Sequence, residues 1–94
     1  AMSTSLIAAG TTEAESAEFT LADDESASLY LVPASGKRTV PVQALIRIEY
    51  KNAAGEWSHK MDLFGTNGSG VVTSVGTFRA YRPAQTFAVG IERG

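Results

Sequence analysis

Apolar and polar side chains alternate with a period of two along most of this chain, in seven or eight short runs separated by Gly, Asn, Asp and Pro. The clearest run covers residues 57–64. Trp57, His59, Met61 and Leu63 fall on one face, and Ser58, Lys60, Asp62 and Phe64 on the other. Successive side chains of a strand point to opposite faces, so this run predicts a half-buried strand. Just upstream, Ala44, Ile46, Ile48 and Tyr50 alternate with Leu45, Arg47, Glu49 and Lys51. Asn52-Ala53-Ala54-Gly55 lies between the two runs, and Asn and Gly both accept positive φ. The pattern predicts a β-hairpin over residues 42–64, with Trp57, Met61, Ile46 and Ile48 buried together and His59 in the same inward register.

The remaining runs are shorter. Residues 18–21 place Phe19 and Leu21 inward, and residues 26–32 place Ala27, Leu29 and Leu31 on one face. Residues 71–75, 77–82 and 87–92 complete the series. The prolines at 33 and 41 mark a loop that cannot join a central strand, and residues 65–70 (Gly-Thr-Asn-Gly-Ser-Gly) read as a flexible connection. The best helical alternative, residues 12–19, has no apolar stripe. Short strands at regular spacing point to an all-β fold: a single antiparallel β-sandwich, Ig-like or jelly-roll-like, whose two sheets bury both inner faces in one core. Residues 1–15 are small, polar and Ala-rich, which suits a flexible N-terminal arm or an edge strand; residues 16–94 form the sandwich domain.

Composition narrows the functional classes. A chain of 94 residues makes one domain. It has no Cys, which removes disulfides and thiolate metal sites. Eight basic residues face ten acidic ones, for a net charge of −2, so no nucleic-acid footprint is expected. No apolar run nears the ~20 residues of a membrane-spanning helix. The Ser5–Ala9 stretch is too short for a signal peptide and lacks a basic flank. Met2 reads as the natural start, with Ala1 a remnant before it.

Candidate chemistry is sparse. His59 is the only histidine and has no nucleophile or acid tied to it by a known spacing. The Gly-x-Ser-x-Gly elbow of a hydrolase and the Gly-Lys-Ser/Thr of a phosphate loop are both missing. Asp23-Asp24-Glu25 offers three carboxylates without the EF-hand spacing, so a solvated turn is the better reading. No catalytic residue, metal or cofactor is expected. Trp57, Tyr50, Tyr30 and Tyr81 could stack on sugar rings, although the register puts Trp57 and Tyr50 in the core. Tyr30, Val32, Leu45, Val72 and Tyr81 fall in the second register, on the face a lone sandwich leaves wet. These five form the candidate interface: scattered, they need no partner, whereas a contiguous apolar set on a wet face marks a contact surface.

The C-terminal third carries Gly76, Phe78, Arg79 and Arg82, followed by Val89, Gly90 and Ile91. Upstream stand Ala17-Glu18-Phe19-Thr20-Leu21, an acidic turn, and Ser26-Ala27-Ser28-Leu29-Tyr30-Leu31. This text resembles the small β-sandwich structural proteins of tailed bacteriophages, of the capsid decoration or tail accessory type. In these, a Gly-x-Phe/Tyr-Arg-x-x-Arg strand precedes one ending near Val-Gly-Val. The resemblance covers about half the chain, and residues 1–15 lie outside it. It implies a non-enzymatic virion protein that docks on a capsid or tail lattice by surface complementarity, or self-associates, for example as a trimer. A carbohydrate- or receptor-binding module is the alternative.

Overall fold

The computed structural model describes residues 4–94. Nine strands run through them: β1 (Thr4–Gly10), β2 (Ala14–Glu15), β3 (Phe19–Leu21), β4 (Ala27–Pro33), β5 (Leu45–Lys51), β6 (Trp57–Phe64), β7 (Ser69–Val72), β8 (Gly76–Arg82) and β9 (Val89–Arg93). All ladders are antiparallel, and there is no helix among the described residues. One sheet, here sheet A, has the order β1-β9-β4-β7; sheet B has β2-β8-β5-β6, with β3 beside β2 on β8.

The pairing is nested. β1 pairs with β9, β2 and β3 with β8, β4 with β7, and β5 with β6. That is one long antiparallel hairpin folded over on itself. The further pairings β4–β9 and β5–β8 close it into two sheets. This order is that of a jelly roll, and it sets aside the Ig-like alternative. Residues 4–10 form an edge strand of sheet A, while residues 1–3 of the segment read as an arm lie outside the described residues.

The hairpin predicted over residues 42–64 is present, and Asn52 shapes its loop. Its Oδ1 accepts from the backbone N–H groups of Ala54 and Glu56, both at 3.0 Å, and its Nδ2 donates to Ser58 Oγ at 2.9 Å. Gly55 takes φ 81°, a conformation that costs a residue with a Cβ. The core lies between the sheets and is built from Leu21, Leu29, Ile46, Ile48, Phe78 and Ile91, all essentially inaccessible. Phe19 stacks on Phe78 with ring centroids 5.8 Å apart.

One irregularity overturns part of the expected register. Ile48 opposes Met61, but Glu49 opposes His59, so Lys60 is an extra residue in β6. A bulge of this kind reverses the side-chain parity of everything beyond it. Met61 and Leu63 stay on the core side, with Met61 half-buried. Trp57 and His59, expected inward, lie on the outer face. Tyr50 keeps its inward parity opposite Phe78, but it sits at the end of the strand and is 38% exposed.

β2 and β3 are one strand interrupted at Ser16. Glu15 opposes Tyr81 and Phe19 opposes Phe78, which leaves one extra residue on the β2–β3 side. The Ser16 hydroxyl accepts the N–H of Ala80 at 2.8 Å, in place of the carbonyl the bulge removes. The loop at residues 65–70 is less free than its glycines suggested, because Ser69 and Gly70 already belong to β7. Gly65 serves close approach: a Cβ there would lie 1.8 Å from the carbonyl oxygen of Pro41.

Candidate functional site

The five interface candidates separate into three places. Tyr30 and Val32 stand on the outer face of sheet A. Leu45 and Tyr81 stand on the outer face of sheet B. Val72 is in the core at 1% exposure, so its expected place on the wet face is corrected. The reason is register. Val72 opposes Ala27, a core residue of β4, and its neighbour Val71 opposes Ser28 and points outward at 55% exposure. Two adjacent valines in a four-residue strand fit either parity, and only the partner strand chooses between them.

On sheet A, Tyr30 is 46% exposed and Val71 55%, with Val32 half-buried on the same face. Glu92 opposes Tyr30 across the β4–β9 ladder. These side chains form an apolar strip near the β7 edge. Gly90 opposes Val32, and a Cβ on it would come within 2.5 Å of the Ile7 carbonyl oxygen. The bare glycine lets β1 bulge over β9 between Ile7 and Gly10.

On sheet B the outer face is polar at its centre. The Arg79 guanidinium donates to Glu49 and to Glu15, each at 2.8 Å. The Trp57 ring lies over that guanidinium, 4.5 Å from centroid to carbon. Asp62 Oδ1 is shared by Arg47 Nε at 3.4 Å and His59 Nε2 at 3.1 Å. Tyr81 donates its phenolic hydrogen to Glu13, and this bond raises the Tyr81 pKa above its ordinary value, with burial and the nearby carboxylates adding to the effect. Toward one end of the face, Leu45 opposes Phe64, which is 42% exposed, and a second small apolar strip results.

The Gln85 side chain was not singled out by sequence, yet it acts as a strand partner. Its Oε1 accepts the Leu45 N–H at 3.0 Å and its Nε2 donates to the Leu45 carbonyl at 2.8 Å. Pro83 ends β8 just before it, and the side-chain amide takes over the pairing. Arg82 has a comparable role between the sheets. Its guanidinium donates to three backbone carbonyls, those of Thr12, Ala8 and Val89, each at 2.7 Å. Burial pushes it below its ordinary pKa, while the three acceptors favour the charged form. The residues on which the phage resemblance rests are thus largely occupied in holding the fold: Phe78 in the core, Arg82 across the sheets, Gly90 under β1.

The acidic turn also has a structural use. Glu25 Oε1 accepts the Ala22 N–H at 2.6 Å, and Asp24 takes φ 68°, a conformation that Asp tolerates. No group of three or more His, Asp or Glu suited to a metal occurs among the described residues. No family model, no curated protein and no solved structure matches this chain.

Proposed function

We propose that this protein is a non-enzymatic virion accessory protein of a tailed bacteriophage, attaching to a capsid or tail lattice by the outer face of sheet A. The observation that carries the reading is the strip of Tyr30, Val32 and Val71 on that face. The inner faces already fill the core, so folding of this chain alone leaves the strip without a use. Glu92 beside Tyr30 supplies a polar rim to an apolar centre, the usual composition of a contact patch. The jelly roll recurs in viral capsid proteins, and also in lectins, so topology supports the reading only by analogy. Self-association as a trimer is the form that suits local threefold points of a lattice.

The test is mass spectrometry of gradient-purified particles from the phage that encodes the chain. Stoichiometric peptides from this protein are expected, and Tyr30→Lys with Val71→Glu should remove it from particles while the purified variant stays folded. Particles without the protein would sink the proposal. The full chain is needed throughout, because removing residues 1–12 strips β1 from sheet A.

A carbohydrate- or receptor-binding role gains one specific support: Trp57 and Tyr81 lie on the same outer face of sheet B, where aromatic rings can meet a ligand. A neutral oligosaccharide that changes Trp57 emission and is lost with Trp57→Ala would favour it.

A further inference from the structure

At one end of the sandwich, a half-open cleft of about 500 Å³ lies between the β5–β6 hairpin and the turn joining β7 to β8. Three of its lining residues carry basic side chains: Lys51, His59 and Lys60. No carboxylate is among them. Two of the three bases have an acid at the margin: His59 lies 3.1 Å from Asp62, which Arg47 shares, and Lys51 lies 3.9 Å from Glu18 in an exposed pair. Lys60 has no carboxylate partner among the described residues, and its ammonium donates to the Ser74 hydroxyl at 3.2 Å across the cleft.

The β6 bulge is what brings this about. Lys60 is the extra residue, and His59 is the first whose parity it reverses. Bulges recur beside binding sites because they re-aim side chains in this way. The apolar part of the wall comes from Tyr50, 38% exposed, and Val75, 63% exposed, on either side of the opening. One ammonium without a carboxylate, Lys60, beside a second held only by a long exposed pair, Lys51, favours an anion, and a ring-sized apolar wall favours a ligand with a carbon face. The volume falls within the range of small-molecule sites.

We propose that this cleft binds a sugar ring bearing one anionic group, a carboxylate or a phosphate, with Lys51 and Lys60 on the anion and Tyr50 and Val75 against the ring. The site stands apart from the apolar strip on sheet A and does not rest on the virion reading.

The test is an NMR titration of the isotopically labelled full chain with glucuronic acid, glucose 6-phosphate and glucose. Saturable shifts confined to residues 50–51, 59–60 and 74–77 are expected with one or both acids, and the stronger of the two names the head group. Glucose should bind about tenfold more weakly or worse, a difference of about 1.4 kcal/mol. Lys60→Gln and Lys51→Gln should each weaken the acid by a similar factor while the spectrum stays dispersed. No saturable shift with either acid, shifts centred elsewhere, equal response to glucose, or unchanged affinity in both variants would each overturn the assignment.

Discussion

The guanidinium of Arg82, on β8 of sheet B, donates to the carbonyl oxygen of Val89, on β9 of sheet A, at 2.7 Å. The same group reaches Ala8 on β1 and Thr12 in the connection to β2. One side chain therefore ties three backbone segments across the sandwich, at 4% exposure and with no ion pair among the described residues.

Loss of that side chain strands three carbonyls. Only the bond to Val89 is fully buried; an unsatisfied buried acceptor costs about 1–3 kcal/mol, so Arg82→Ala should lower stability by about 1–3 kcal/mol. Arg82→Lys should recover only part of this, because an ammonium lacks the planar fork. Urea unfolding of the purified variants measures both. A change under about 1 kcal/mol for Arg82→Ala would show that water replaces the guanidinium at no real cost.

The bulge at Lys60 makes opposite forecasts for two large side chains of the same hairpin. Ile48 is fully buried, and Ile48→Ala should cost about 2–5 kcal/mol. Trp57 stands on the outer face over Arg79. The ring is half-buried, so its replacement by Ala forfeits the cation–π contact and part of a packed surface, about 1–2 kcal/mol. As the only tryptophan, Trp57 also reports directly: its fluorescence should be open to acrylamide quenching in the folded protein. A shielded Trp57, or a reversal of the two stability losses, would place the bulge elsewhere.

Gly65 and Gly36 separate steric from conformational need. A Cβ on Gly65 would collide with the Pro41 carbonyl, whereas Gly36, at φ 82°, faces open space. Gly65→Ala should cost about 1–3 kcal/mol, as overpacking does, or more, since the obstacle is backbone. Gly36→Ala should cost only about 1 kcal/mol, from the left-handed conformation. Thermal melts rank the two, and equal losses would remove the steric account.

Tyr81 supplies a pH dependence. Its hydrogen bond to Glu13 raises the folded-state pKa above the ordinary 10.0. A raised folded value contributes stability that is fully present below the unfolded pKa and is lost as pH rises through the folded one. Melting temperature should therefore fall on the alkaline side of about pH 10, and Tyr81→Phe or Glu13→Gln should flatten that limb. Absorbance titration of the phenols should show one that ionises late, and its persistence in Glu13→Gln would count against the assigned cause.

Much of the fold was legible in the alternation itself. Phe19, Leu21, Ala27, Leu29, Leu31, Ile46 and Ile48 all take their expected inward places, because a two-residue period is imposed by the strand backbone and needs no knowledge of neighbours. The all-β class and the hairpin around Asn52 follow from the same local rule. Local rules do not reach the bulge at Lys60. An extra residue is defined only against a partner strand, and it exchanged the faces of Trp57 and His59. Nor do they settle Val71 against Val72, where the register on β4 decides. The nested strand order, the Arg82 clamp and the contact of Lys60 with Ser74 on the β7–β8 turn join residues far apart in the chain. Such contacts exist only once the long hairpin has folded over and its two sheets have packed together, so they belong to the tertiary structure alone.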